Sequence, residues 1–527
     1  MKWSLLCWIF VTVQLLLLDK FQHVHAADWS ATQSQKIHPV LVGKDHNSLL
    51  EIKIESAEKS VFLHSFTLSL SGCDDLKEIE SLQVFSTGET QNEDTTFRFG
   101  AAVRPAKTVV ISGNIRLRQG TNFFWISCRL HPQANLDHQV DAHCTHIRTS
   151  QGELQPSDET PEVRKRIGWA LRQHGDDGVH TYRIPALATT PQGTLLCVYD
   201  VRRRAGRDLQ EDIDIGLLRS TDGGQNWESQ QIIMDMHEYG GLPQEENGCS
   251  DPGIVVDPKT GEVFVAAVWT NGRPGTHQWN KGGSEAGFGI DQTAQFLMVR
   301  SQDDGKTWST PENLTRQLKQ ENWILFAPSP QQGIALPDGT LIMPSQGRDA
   351  QDRHFSNLMI SRDHGNTWKL SAPASFENTE CQAVLLGDGS IMLNCRTEHS
   401  TKFRTVAITQ DLGRSWTAHP TNRQTLIEPS CNGSTYRFDY VQGGEKKHLL
   451  VFANPYSQTG RENHTLRFSF DDGMTWPREH HLLLDVGRGA GYPSLSRVGE
   501  NHIGIAYEGS QSHIVFQRID LLEHLGL

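Results

Sequence analysis

Five copies of one eight-residue pattern run through the C-terminal two-thirds of this 527-residue chain. They read STDGGQNW (Ser220 to Trp227), SQDDGKTW (Ser301 to Trp308), SRDHGNTW (Ser361 to Trp368), TQDLGRSW (Thr409 to Trp416) and SFDDGMTW (Ser469 to Trp476). Recurrence at intervals of roughly 50 to 80 residues implies radially repeated β-units, with variation looped out between copies. Each copy holds what a tight hairpin turn requires. Asp accepts hydrogen bonds from nearby backbone N–H groups, Gly supplies positive φ, and Trp packs over the turn. The pattern is an Asp-box, and it predicts a β-propeller.

By themselves the boxes are structural clips. Asp303-Asp304-Gly305 and Asp471-Asp472-Gly473 resemble calcium loops, but neither has the glutamate that closes an EF-hand loop. A net charge of −13 without a basic block argues against nucleic acid and anionic membrane surfaces. The length predicts two domains. Residues 1–26, with Lys2, an apolar run from Leu5 to Leu18 and small residues at Ala26 and Ala27, read as a signal peptide. A secreted or periplasmic chain with no membrane span after cleavage is expected. Cys7 leaves with that segment, and the remaining eight cysteines show no metal-ligand spacing.

From 28 to 150 apolar positions alternate in runs such as SVFLHSFTLSLSG and FFWISCRL, predicting an N-terminal β-sandwich that packs on its neighbour or binds glycans. The polar, proline-containing stretch 151–166 reads as a linker. Residues 167–527 then predict a six-bladed β-propeller, because GTLLCVYD, EVFVAAVW, GTLIMPSQ, GSIMLNCR, HLLVFANP and HIGIAYEG alternate with turns and boxes.

The polar residues ending these strands are more informative about chemistry. Arg183 lies in TYRIPAL, Arg396 ends GSIMLNCR, and Arg461 lies in NPYSQTGREN, each in a different unit. Three converging arginines require an anion between them, and a carboxylate fits the guanidinium fork.

YRIP followed by several Asp-boxes resembles the exo-sialidase superfamily of glycoside hydrolases, and the N-terminal segment resembles the sandwich preceding some bacterial sialidase domains. The resemblance implies that Arg183, Arg396 and Arg461 grip the sialic acid carboxylate, with Glu508 in GIAYEGS orienting the first of them. In YDVRRRAGRDLQEDIDIG it points to Asp208 as acid/base, with Asp212 and Asp214 as alternatives. Arg202 or Arg203 would contact the sugar 4-hydroxyl, the triple arginine leaving the register open. Asp251 in CSDPG resembles a residue lining the N-acetyl or glycerol side, although Ser-Asp-Pro is also an ordinary turn. Tyr492 in AGYPSL and Glu380 in ENTECQAV match the nucleophile and its base. The glycine run Gly487 to Gly491 reads as a flexible approach to Tyr492.

Chemistry explains why a tyrosine would be wanted. The sialoside's anomeric carbon bears a carboxylate, and a carboxylate nucleophile ~5 Å away would meet repulsion of ~3 kcal/mol at an effective dielectric near 20. A neutral phenol avoids this, and sialidases with a tyrosine nucleophile depart from the two-carboxylate rule of glycosidases. The resulting expectation is a retaining exo-α-sialidase acting on sialylated glycans without cofactor or metal. Transfer to another sugar or to an intramolecular hydroxyl is the rival chemistry. A binding propeller is the non-enzymatic rival, and it would need the arginines but not Asp208, Glu380 and Tyr492.

Overall fold

Period-two alternation gives each N-terminal strand one buried face, and two such faces close a core. The computed structural model describes residues 29–57, 60–271, 279, 283–398 and 401–527. The expected signal peptide lies outside the described residues. The chain is all-β. A six-stranded sheet is ordered Ser157–Asp158, Trp29–Ser34, Asn47–Ser56, Gly120–Leu130, Ile79–Gly88, Arg98–Val103. A second sheet is ordered Gly152–Leu154, His143–Thr149, Phe62–Ser69, Thr108–Arg116. Phe66, Phe99 and Phe124 meet edge-on in the core at centroid distances of 5.2 to 6.1 Å.

Two boundaries differ from expectation. Residues 151–166 are not a free linker, because Gly152–Leu154 pairs with Ile147–Thr149 and Ser157–Asp158 pairs with Thr32–Gln33. Lys165 already opens the next strand, Lys165–Arg172. Within the expected sandwich, Val40–Val42 runs parallel to Ile167–Trp169, and Gln139–Val140 pairs with Lys165–Arg166. Sheet edges carry unpaired N–H and C=O groups, and these short segments satisfy them. Asp137 accepts from Arg518 at 2.8 and 2.6 Å, and Ala134 O accepts from Gln225 at 2.6 Å, joining the two halves.

After Lys165, antiparallel units follow one another, hydrogen-bonded into sheets of nine, six, four, four and six strands. Among their strands are Leu195–Arg202, Val263–Thr270, Leu341–Arg348, Ile391–Thr397, Glu445–Pro455 and His502–Tyr507. These are the six apolar runs noted in the sequence. The last unit is completed from the other end of the region, Trp169 pairing with Phe516. Leu187 N donates to Ser494 Oγ at 2.9 Å, joining this unit to the first. All eight cysteines among the described residues are free, seven of them buried, and Cys381 faces Cys395 across a strand pair.

In every box the Asp accepts from the amide and the side chain four residues on, and the Ser or Thr hydroxyl accepts from the Gly amide. In the third, Asp363 accepts from the Thr367 amide at 2.9 Å and its hydroxyl at 2.6 Å, while Ser361 Oγ accepts from Gly365 N at 2.8 Å. His364 and Gly365 have φ of +57° and +80°, and Trp368 is buried against Phe264. This box leaves the strand His354–Ser361 at Ser361, whereas His354 at the other end lines the cavity described below. Seven steps of about 3.3 Å put the two ends roughly 23 Å apart. Trp368→Ala is therefore expected to cost ~3–5 kcal/mol of stability. The folded fraction should keep its Michaelis constant, and denaturant unfolding with steady-state kinetics checks both.

Candidate active site

Three strand pairs carry bulges where candidate residues sit. Register breaks occur between Arg183 and Ala186, Ser250 and Gly253, and Asn378 and Cys381. A bulge re-aims side chains that regular pleating would send to alternate faces. Two residues beside these side chains take left-handed backbone, Ile184 at φ +56° and Asp251 at +58°. For a β-branched residue such as Ile184 this conformation is strained. A cavity of about 390 Å³ results, lined among others by Asp208, Asp251, Glu380, Arg396 and Tyr492.

Tyr492 is buried at its centre. Its hydroxyl donates to Glu380 Oε1 and accepts from Arg396 Nη1 at 2.8 Å, and the same Nη1 donates to Glu380 Oε2 at 3.0 Å. Burial, then the Glu380 charge, raise the phenol well above its ordinary value against the opposing pull of Arg396 and Arg461, so it stays protonated at neutral pH. The Arg183 and Arg461 guanidiniums lie 5.3 and 5.5 Å from the Tyr492 ring centroid. Three arginines from three units thus surround one phenol.

Each arginine is oriented differently. Glu508, 1% exposed, accepts from Arg183 Nε at 2.8 Å and Nη2 at 3.1 Å, and also from the Ile184 and Tyr492 amides. Burial raises the Glu508 carboxyl, but the Arg183 charge and these bonds prevail and hold it below its usual range. Arg461 donates to Ala490 O at 2.8 Å and Ser430 O at 3.3 Å.

Asp208 accepts from Arg202 at 2.5 Å and Arg183 at 3.3 Å, and its side chain is 47% exposed. Arg202 is wholly buried between Asp208, Gly206 O and Asp200. It is not among the residues lining the cavity of Tyr492. Arg203 is not brought to the cluster, because it turns the other way and pairs with Asp214 at 2.8 and 2.5 Å. Arg202 closes the strand Leu195–Arg202, whereas Arg203 lies just beyond its end. Asp251 does line the cavity, its carboxyl raised well above the usual range by burial and by the charges of Asp200, Glu380 and Asp208. A neutral carboxyl there can donate a hydrogen bond.

The glycine run before Tyr492 is closely packed, contrary to the flexible approach expected. A Cβ on Gly489 would stand 2.3 Å from Glu508 O, and Gly491 has φ +100° with Cys431 Sγ and Arg461 close by. Among the described residues no group of three or more His, Cys, Asp or Glu could hold a metal ion, and no helix is long and apolar enough to cross a membrane.

Comparison with known proteins identifies the assembly. Residues 193–505 match the BNR repeat-like domain, and 29–153 match the N-terminal domain of BNR-repeat neuraminidase. The chain is 37% identical to a sialidase of Bacteroides fragilis (strain YCH46), covering 94% of this chain and 96% of that one. A sialidase of Micromonospora viridifaciens is 31% identical over 64% of this chain and 51% of its own. The solved structure of Hadza microbial sialidase Hz136 superposes with a TM-score of 0.87 at 34% identity, covering 93% of this chain and 99% of that chain. The chain belongs to the bacterial-type sialidases. It is a glycoside hydrolase.

Several residues around this cavity have no strong local signal. Trp279, Gln346, His354, Thr379 and Glu398 complete the cavity wall. Asp200 receives Ser250 Oγ at 2.5 Å and the Asp251 amide at 3.1 Å, so it ties two units together beneath the site. Its place at the polar end of GTLLCVYD was the available clue. Glu428, fully buried, accepts from Thr397 N at 2.6 Å and Arg404 at 2.8 Å, bracing the residue next to Arg396. Glu428 stands in a loop with no motif around it.

Proposed function

We propose that the protein is a retaining exo-α-sialidase whose antiparallel units form a six-bladed propeller around the cavity. The observation that carries the mechanism is the bonded set Tyr492–Glu380–Arg396, flanked by Arg183 and Arg461. The bond from Leu187 in the first unit to Ser494 in the last supports the ring reading.

The three arginines hold the sialic acid carboxylate and place the anomeric carbon beside Tyr492. Asp208, protonated, gives its proton to the glycosidic oxygen as that bond breaks. The Tyr492 oxygen attacks the anomeric carbon from the other side and passes its proton to Glu380. The phenol's raised affinity for its proton makes this concerted transfer necessary. In the second half water gives a proton to Asp208 and attacks the anomeric carbon, while Glu380 returns the proton to Tyr492. Two inversions leave the configuration retained.

Proton NMR of an aryl α-sialoside during hydrolysis tests this. The α-anomer of free sialic acid is expected first, mutarotating later to the β-anomer. Initial release of the β-anomer would eliminate the tyrosyl intermediate, and absence of any hydrolysis would favour a binding propeller.

A further inference from the structure

Behind Glu380 and Arg396 lie two cysteines that no step above uses. Cys381 follows Glu380 and Cys395 precedes Arg396, and the two are direct partners between the antiparallel strands Asn378–Leu385 and Ile391–Thr397. Glu380 and Arg396 line the cavity and bond each other at 3.0 Å. Both cysteines are instead wholly buried, in an apolar cluster with Ile342, Leu358 and Leu393. Among the described residues no other two cysteines are strand partners.

The backbone sets how close the two thiols come. Cys381 N donates to Ser329 Oγ at 2.7 Å, and Cys381 O accepts from the same hydroxyl at 2.8 Å. Its backbone polar groups therefore turn away from Cys395, which makes the two a non-hydrogen-bonded pair. Such pairs hold their Cα atoms about 4.5 Å apart and bring their side chains closest. That spacing lies within the roughly 4.4–6.8 Å that disulfides span. The two thiols also interact directly with each other. A bulge between Asn378 and Cys381 interrupts the ladder at this point. The strand pair carrying Glu380 and Arg396 thus lacks a regular backbone tie beside Glu380.

We propose that Cys381 and Cys395 become a disulfide when the chain folds in an oxidising compartment, and that this link holds Glu380 and Arg396 in register. The positioning role rests on the hydrolase reading above; the disulfide itself does not. Burial of both sulfurs places the reaction in folding, before the apolar cluster closes over them. The thiolate of one cysteine attacks a sulfur of a reactive disulfide carried by a thiol oxidoreductase, and the other sulfur of that oxidant leaves as a thiolate. The second cysteine then attacks the mixed disulfide and releases the oxidant as a dithiol. Two S–H bonds give way to one S–S bond, and two electrons and two protons pass to the oxidant.

Both cysteines fall in one tryptic peptide, Leu370 to Arg396, which makes the link directly readable. The full chain exported to a bacterial periplasm is denatured in iodoacetamide, digested and weighed, with and without prior reduction. Without reduction the peptide should carry no alkyl group and be lighter than the dithiol by two hydrogens; after reduction it should take two alkyl groups. Two alkyl groups on most copies before reduction, or a link from either cysteine to another residue, would overturn the proposal. The positioning role is read by comparing thermal loss of aryl-sialoside hydrolysis with thermal loss of tryptophan fluorescence. In the linked protein the two should coincide. In Cys395→Ala, activity should fail about 5 °C before the fluorescence changes, with kcat/KM at 25 °C within about twofold of the linked protein. Chain made in a reducing cytoplasm, its thiols verified by alkylation, serves in place of a variant that does not fold. Coincident losses in the unlinked protein would remove the positioning role. A linked peptide in a protein that hydrolyses no sialoside would sink the hydrolase reading and leave the disulfide standing.

Discussion

Tyr492→Phe is expected to lower kcat by about a thousandfold or more, since it deletes the attacking oxygen and keeps the ring. The ring's contacts to the Arg183 and Arg461 guanidiniums survive this change, so the fold and the carboxylate grip should be retained. Glu380→Gln should also be severe, falling about a hundredfold or more, because the raised phenol then has no base to receive its proton. Arg396 bonds to both partners, so the two losses should not add in the double variant. Single-turnover kinetics with circular dichroism as a folding control checks these outcomes. Near-normal turnover in Tyr492→Phe would remove Tyr492 from the mechanism.

Asp208→Ala should discriminate between leaving groups. Natural sialyl-sugars leave as alkoxides and need a proton, whereas activated aryl sialosides leave as stabilised phenolates. The variant should therefore lose about a hundredfold or more on sialyllactose and far less on the aryl substrate, and the pH-profile limb reporting the acid should flatten. Asp214 is the tempting rival. Burial and then the Asp235 charge raise its carboxyl to about 7, a suitable value for a general acid. Geometry overrides that value, because Asp214 is paired with Arg203 and, like Asp212, does not line the cavity holding Tyr492. Asp212→Ala and Asp214→Ala should reduce activity on both substrates alike, if at all. A leaving-group-selective loss in either variant, with none in Asp208→Ala, would transfer the acid role.

The sequence by itself determined what depends on near neighbours. A box closes its hydrogen bonds within four residues, as from Thr367 to Asp363, so its Ser, Asp, Gly and Trp could be recognised in any context. Strand periods are equally local, and each of the six apolar runs became a strand. Arg183, Arg396 and Arg461 stood out as polar residues near the ends of apolar runs, whereas Tyr492 and Glu380 were reached only through the resemblance.

Tertiary structure alone decided what depends on distant partners. Tyr492 meets Glu380 across 112 positions, and Arg183 meets Glu508 across 325. Only the tertiary structure decided that Arg202 meets Asp208 while its neighbour Arg203 meets Asp214. The glycines before Tyr492 read as flexible until the Glu508 carbonyl was found against Gly489. Val40–Val42, in the expected sandwich, supplies a strand to the last unit because that sheet's edge offers unpaired backbone groups. Loop closure between remote segments is set by which packed arrangement satisfies most buried groups, a property of the whole chain that no short window contains.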